Sequence, residues 1–130
     1  MKRIIPTMAV DNCKEALEYY KEIFGGEIIN VQLADGKEMF KGFEGKIIHA
    51  ELHINDNCII YINDIMTGKN EGSNITLLLE IDNMEEINAI YSTFSKQGNV
   101  IFELQKTFWG SYHAVVTDVY GITWSLDYSG

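Results

Sequence analysis

Two stretches of the chain place hydrophobic residues three or four positions apart, the spacing of a helix with one buried face. Ala16, Tyr19, Tyr20, Ile23 and Phe24 form the first such face; 71 positions on, Ile87, Ile90, Tyr91 and Phe94 form the second. Both helices open alike, with Asn12-Cys13-Lys14-Glu15 and Asn83-Met84-Glu85-Glu86, an asparagine able to cap and a glutamate three positions later able to reach back. Gly25-Gly26 and Gly98 end them, because glycine adopts the backbone a helix C-cap needs. Elsewhere the apolar pattern is that of strands: residues 4–10, 27–33, 46–55 and 58–63 in the first half, and 75–81, 100–104, 112–118 and 123–128 in the second. Pro6 confines the first strand to an edge or to the start of pairing, and Asn55-Asp56-Asn57 supplies a tight turn.

The order is therefore β-α-β-β-β twice over, which predicts an α+β class: two βαβββ modules, residues 1–64 and 75–130, within one domain spanning 1–130. The polar, glycine-containing stretch 65–74 reads as their linker. A repeat of this length is a supersecondary module rather than a solenoid unit, so a pocket is expected where the two halves meet. Past the helices the repeat distance shortens: His49-Ala50 matches His113-Ala114, and Asn57 matches Gly121, at 64 positions. The surplus in the first half is assigned to the loop 34–45, whose three glycines and two phenylalanines suit either a flap over a ligand or a solvated hairpin extension.

Composition narrows the partners. With 46% apolar and 12% aromatic residues, 130 residues suffice for one packed core. Polar residues interrupt every apolar run well short of the ~18 residues a membrane helix needs, and 4–10 is too short for a signal sequence. The net charge of −9, with scattered lysines, argues against nucleic acid. Cys13 and Cys58 form no metal or redox motif and read as two reduced thiols of a cytoplasmic protein. Cys13, at a helix N-terminus, is placed to have a lowered thiol pKa, but no histidine lies near it in sequence.

The candidate chemistry lies in His49-Ala50-Glu51-Leu52-His53. On a strand, His49, Glu51 and His53 share one face, while Ile48, Ala50, Leu52 and Ile54 share the other and must meet the helix. Two imidazoles and a carboxylate can bind a divalent metal or exchange protons. Strand spacing disfavours the metal, since alternate residues stand about 6–7 Å apart, so a polar pocket wall or open face is the plainer reading. His113 is the repeat partner of His49, and Phe108-Trp109-Gly110 before it suits either the floor of an apolar site or a piece of core. No GxSxG, P-loop, GxGxxG or HExxH motif occurs.

Three segments carry a family resemblance across essentially the whole chain: residues 16–26, ending Tyr19-Tyr20-Lys21-Glu22-Ile23-Phe24-Gly25-Gly26; His49-Ala50-Glu51-Leu52-His53-Ile54; and Phe108-Trp109-Gly110 followed by Asp118-Val119-Tyr120-Gly121-Ile122-Thr123-Trp124-Ser125-Leu126. Together they resemble the vicinal oxygen chelate superfamily, which includes glyoxalase I, bleomycin-resistance and fosfomycin-resistance proteins and extradiol dioxygenases, and within it the PhnB-like branch. Asp118-Val119-Tyr120-Gly121 departs from the family's Asp-Pro-Phe-Gly. Some members of this branch are labelled as demethylubiquinone methyltransferase-like, yet nothing in the chain resembles a binding site for S-adenosylmethionine.

The resemblance implies a glyoxalase-like fold, a cupped mixed sheet with helices outside, and a homodimer. Metal-dependent members take ligands from the first and last strands of each module; here those positions fall near Ile5, Tyr61, Thr76 and Ser125, and a slip of one residue brings in only Ile4, Pro6, Ile60, Ile62, Ile75, Leu77, Trp124 and Leu126. None is a histidine or a carboxylate, so neither the family metal nor any other cofactor is expected. The resulting expectation is a small-molecule-binding protein whose ligand meets His49, Glu51, His53, Tyr61, Trp109, His113 and Ser125. The alternative is a lyase- or isomerase-type enzyme with Glu51 as base and His49 or His53 as acid, with or without a noncanonical divalent metal.

Overall fold

Strand, helix and three further strands recur twice in the computed structural model, which describes residues 1–66, 68, 72 and 74–129. The first set is β1 (Thr7–Val10), α1 (Cys13–Phe24), β2 (Glu27–Leu33), β3 (Ile47–Asn55) and β4 (Cys58–Asp64), with a 3₁₀ turn at Glu38–Phe40 before β3. The second is β5 (Leu77–Glu80), α2 (Met84–Gln97), β6 (Asn99–Lys106), β7 (Tyr112–Thr117) and β8 (Thr123–Tyr128). The chain divides into two compact units, Met1–Lys69 and Asn70–Gly130. Each holds a four-stranded mixed sheet, ordered β1-β4-β3-β2 in the first unit and β5-β8-β7-β6 in the second. The α+β class and the tandem βαβββ order are those the sequence predicts. Of the linker expected at 65–74, residues 67, 69–71 and 73 lie outside the described residues.

Both helices start as expected. The Asn12 side chain accepts from the Glu15 backbone N–H and the Asn83 side chain from that of Glu86, satisfying N–H groups that have no partner within the helix. Cys13, Ala16, Leu17 and Tyr20 are the buried stripe of α1, and Ile87, Ile90 and Phe94 that of α2. Each helix packs on its own sheet. Met8, Val10, Ala50, Leu52, Ile60 and Ile62 are buried in the first unit, and Ala114, Val116, Trp124 and Leu126 in the second. At the start of β2 the backbone of Gly26 comes so close to the His53 carbonyl that a Cβ there would collide with it, so only glycine lets the helix return tightly to its sheet.

The outer strands are shorter than the pattern suggests. β1 starts after Pro6, which has no N–H to give a ladder but whose carbonyl accepts from Tyr61 at 3.0 Å; as expected, β1 is an edge strand. Ile5 and Thr76 consequently precede β1 and β5. The surplus of the first module falls in the loop between β2 and β3, where successive backbone bonds link Ala34 to Lys46, Lys37 to Ala34, Phe40 to Lys37, Phe43 to Phe40 and Lys46 to Phe43. The turn at Asp118 tolerates Val119 and Tyr120: the Asp118 carbonyl accepts from Gly121, and its carboxylate accepts from the backbones of Tyr120 and Ile122 and from the Trp124 indole.

A buried carboxylate ties the first unit together. Asp64, at the end of β4, accepts from the Cys13 N–H at 2.8 Å and from the Ile47 N–H at 2.7 Å, joining the first turn of α1 to the start of β3. Asp64 also corrects the expectation for Cys13. Burial, and then the Asp64 charge, push that thiol up from 9.0 to about 12, so the helix N-terminus does not yield a reactive thiolate. Asp64→Ala strands two buried N–H groups, and at ~1–3 kcal/mol for each unsatisfied group the expected loss is roughly 2–6 kcal/mol. Urea unfolding would read this as a lower midpoint at unchanged slope.

Candidate functional site

With Ala50 and Leu52 turned to α1, the pleat of β3 turns His49, Glu51 and His53 to the opposite face of the sheet. Strand spacing alone would keep the three apart, but the side chains lean together. Glu51 Oε2 lies 2.7 Å from His49 Nε2, and Glu51 Oε1 lies 2.7 Å from His53 Nε2. Tyr61 of β4 pairs in register with Glu51 and sets its ring edge-on to His49, with centroids 4.8 Å apart. A fifth member is Asn30 of β2, whose amide donates to Glu51 Oε2 at 3.1 Å. Pattern reading missed it because Asn30 is out of step with the strand: it is left-handed, with φ 53°, and β2 breaks register between Ile29 and Gln32. An asparagine between Ile29 and Val31 was the available signal, since this residue tolerates that conformation.

Glu51 is buried while both imidazoles are about 30% exposed. Hydrogen bonds from His49, His53 and Asn30 outweigh burial and hold the carboxyl down from 4.5 to about 2. An ionised carboxylate can only accept, so Nε2 of each histidine carries the hydrogen, and in a neutral ring Nδ1 is then the acceptor. This weakens Glu51 as a general base: its affinity for a proton near pH 7 is small, and both oxygens are already engaged.

In the second unit His113 lies on β7 between Phe102 and Trp109, with ring centroids 5.6 and 5.9 Å away. Its Nδ1 has no hydrogen-bond partner among the described residues and stands 3.7 Å from Asp127 Oδ1, which accepts from the Ser111 hydroxyl. Trp109 is 58% exposed, which removes the alternative that it belongs to the core. Ser125 is buried on β8, paired with Val115. Sequence reading missed Phe102, Ser111 and Asp127, for none stands out until β6 and β8 flank β7.

The registers sharpen the repeat. Glu51 pairs with Tyr61 and Val115 with Ser125, so each member of the second pair lies 64 positions on; Thr7 pairs with Tyr61 and Leu78 with Ser125, 71 positions apart on the first strand. The first-strand partners of Tyr61 and Ser125 are therefore Thr7 and Leu78, not Ile5 and Thr76. Thr7, Tyr61, Leu78 and Ser125 do not fit the family's divalent ion, because none offers an imidazole or a carboxylate. Among the described residues no three His, Cys, Asp or Glu side chains are arranged to hold a metal ion. No described helix is long and apolar enough to cross a membrane.

The sequence profile of the glyoxalase/bleomycin resistance protein/dioxygenase superfamily matches residues 4–126. Protein YjdN of Escherichia coli K12 is 26% identical over 130 residues, covering 89% of this chain and 87% of its own. Among solved structures, protein PA1353 from Pseudomonas aeruginosa superposes with a TM-score of 0.87 at 21% identity, over 99% of this chain and 98% of that one. The PhnB protein from Bacillus cereus gives 0.82 at 22% identity, over 98% and 99%. At such identities the structural likeness speaks for the fold.

The Glu51 carboxyl gives the array a pH signature. In the unfolded chain it ionises near 4.5 and in the folded chain near 2, so its stabilising contribution is complete above about 4.5 and is lost as pH falls towards 2. Urea midpoints measured between pH 5 and pH 2.5 should fall with acidity in the native sequence. Glu51→Gln should flatten that part of the slope.

Proposed function

The chain belongs to the glyoxalase/bleomycin resistance protein/dioxygenase superfamily, and from that premise we propose that it binds a small aromatic or amphipathic molecule without the family's metal and without transforming it. The observation that carries this reading is the state of Glu51: a carboxylate held ionised, with its oxygens bonded to His49, His53 and Asn30. Such a group organises its neighbours rather than exchanging protons with a substrate. The ligand meets what the carboxylate has organised, namely the exposed edges of His49 and His53 beside Tyr61. On the second unit we assign ligand contact to Trp109, His113 and Ser125, where the exposed Trp109 ring offers stacking area beside the His113 imidazole.

The donor set supports the metal-free part, since Thr7, Tyr61, Leu78 and Ser125 leave a Lewis acid with no anionic or imidazole ligand. One observation favours an enzyme instead: a carboxylate bonded to an imidazole is how proton-transferring histidines are oriented. In that reading Nδ1 of His49 or His53 is the base and Glu51 holds the rings in place, which reverses the roles the sequence suggested. We take the assembly to be a homodimer, as the family resemblance implies.

A thermal-shift screen of aromatic and amphipathic compounds tests the binding reading. A compound that raises the melting temperature should be recovered chemically unchanged, and Glu51→Gln or His49→Ala should weaken it about tenfold, the worth of one net hydrogen bond. Recovery of an altered compound would shift the reading to the enzyme. Stoichiometric Zn, Ni, Mn or Fe in protein purified without chelator would overturn its metal-free part. In sedimentation, a mass near twice 14.8 kDa checks the dimer.

A further inference from the structure

Two asparagines are the non-glycine residues with positive φ among the described residues: Asn12, which caps α1, and Asn30, inside β2. A left-handed residue within a strand is energetically unfavourable and calls for a physical cause. The immediate one is a bulge. Ile29 pairs with Glu51 and Gln32 with His49, so two residues, Asn30 and Val31, stand opposite the single residue Ala50.

The second module tests whether the bulge itself requires this backbone. Phe102 pairs with Val115 and Gln105 with His113, so Glu103 and Leu104 stand opposite Ala114. The bulge thus recurs at the same place, with a glutamine again beside the histidine, yet neither Glu103 nor Leu104 has a positive φ. What differs is the facing strand, where Glu51 is replaced by Val115. The bulge forms without a left-handed residue where there is no carboxylate to reach. Where the carboxylate is present, the left-handed residue is an asparagine with its amide on Glu51.

We infer that Asn30 is a positioning residue of the polar array: its left-handed backbone turns the amide from the helix side of the sheet onto Glu51, and so fixes the carboxylate that orients His49. In unbroken alternation the residue after Ile29 would point to the side of Ala50 and Leu52, both fully buried. The left-handed turn brings its side chain to the polar side instead, where it shares Oε2 of Glu51 with His49 Nε2. A carboxylate oxygen held from two directions cannot rotate to follow the ring, so the ring follows the carboxylate. Asn30 is itself exposed and can face whatever approaches the imidazoles.

The inference rests on the reading of this face as ligand-binding, but its test uses the protein alone, so either can fail without the other. Histidine imidazole ¹H–¹⁵N spectra at neutral pH report which ring nitrogen is protonated and how fast that hydrogen exchanges. Asn30→Gly keeps a residue at ease with positive φ and removes the amide, so the strand can keep its bulge and the variant should fold. In it the His49 Nε2–H signal should broaden or vanish by faster exchange, while that of His53, bonded to the other oxygen, stays. Asn30→Asp, which tolerates the same backbone but presents an acceptor to an acceptor, should produce the same loss and covers the case in which the glycine variant does not fold. A His49 Nε2–H signal of native shift and exchange rate in either folded variant would overturn the inference, as would equal losses at His49 and His53.

Discussion

Everything on the first unit follows from the burial of one side of β3. Ala50 and Leu52 are sealed beneath α1, and because the pleat alternates, His49, Glu51 and His53 have no choice of face. Three polar groups in a row on a half-covered sheet would be costly if left to themselves. They are tolerated because the middle one is an anion and the outer two are donors. The charge that burial would penalise is stabilised by hydrogen bonds, and the imidazoles that strand spacing would separate are drawn together.

The same logic separates the two carboxylates deepest in this unit. Asp64 accepts two backbone N–H groups and fastens a helix to a strand; Glu51 accepts side chains and faces outward from the helix. Both are acceptors held by donors. One therefore belongs to the architecture and the other to the surface the architecture displays, and only the second has neighbours capable of chemistry.

Much of this was legible from residue order. Helical spacing gave α1 and α2 with their caps, alternation gave the polar face of β3, and Pro6 gave an edge strand. What escaped were contacts between distant positions. Cys13 sits where a thiol pKa should fall, yet burial raises it, and the charge of Asp64, 51 residues later, adds to the rise. Counting back from the helices put the first-strand positions at Ile5 and Thr76, while the ladders set Thr7 and Leu78 beside Tyr61 and Ser125. Asn30 escaped for a deeper reason: a bulge inserts a residue without marking which one, and only the facing strand shows where the extra side chain goes.

The paired bulges opposite Ala50 and Ala114 also separate what the backbone fixes from what the side chains display. The two modules share the same irregularity of backbone while the residues displayed over it differ, an ionised array in one and an aromatic surround for a single histidine in the other. Because alternate residues of a strand serve opposite faces, the residues facing away from the helix can differ between the two modules while the helix-facing set keeps its packing role. One architecture thus carries two unlike surfaces within a single chain, so shape alone is a poor guide to what either of them holds.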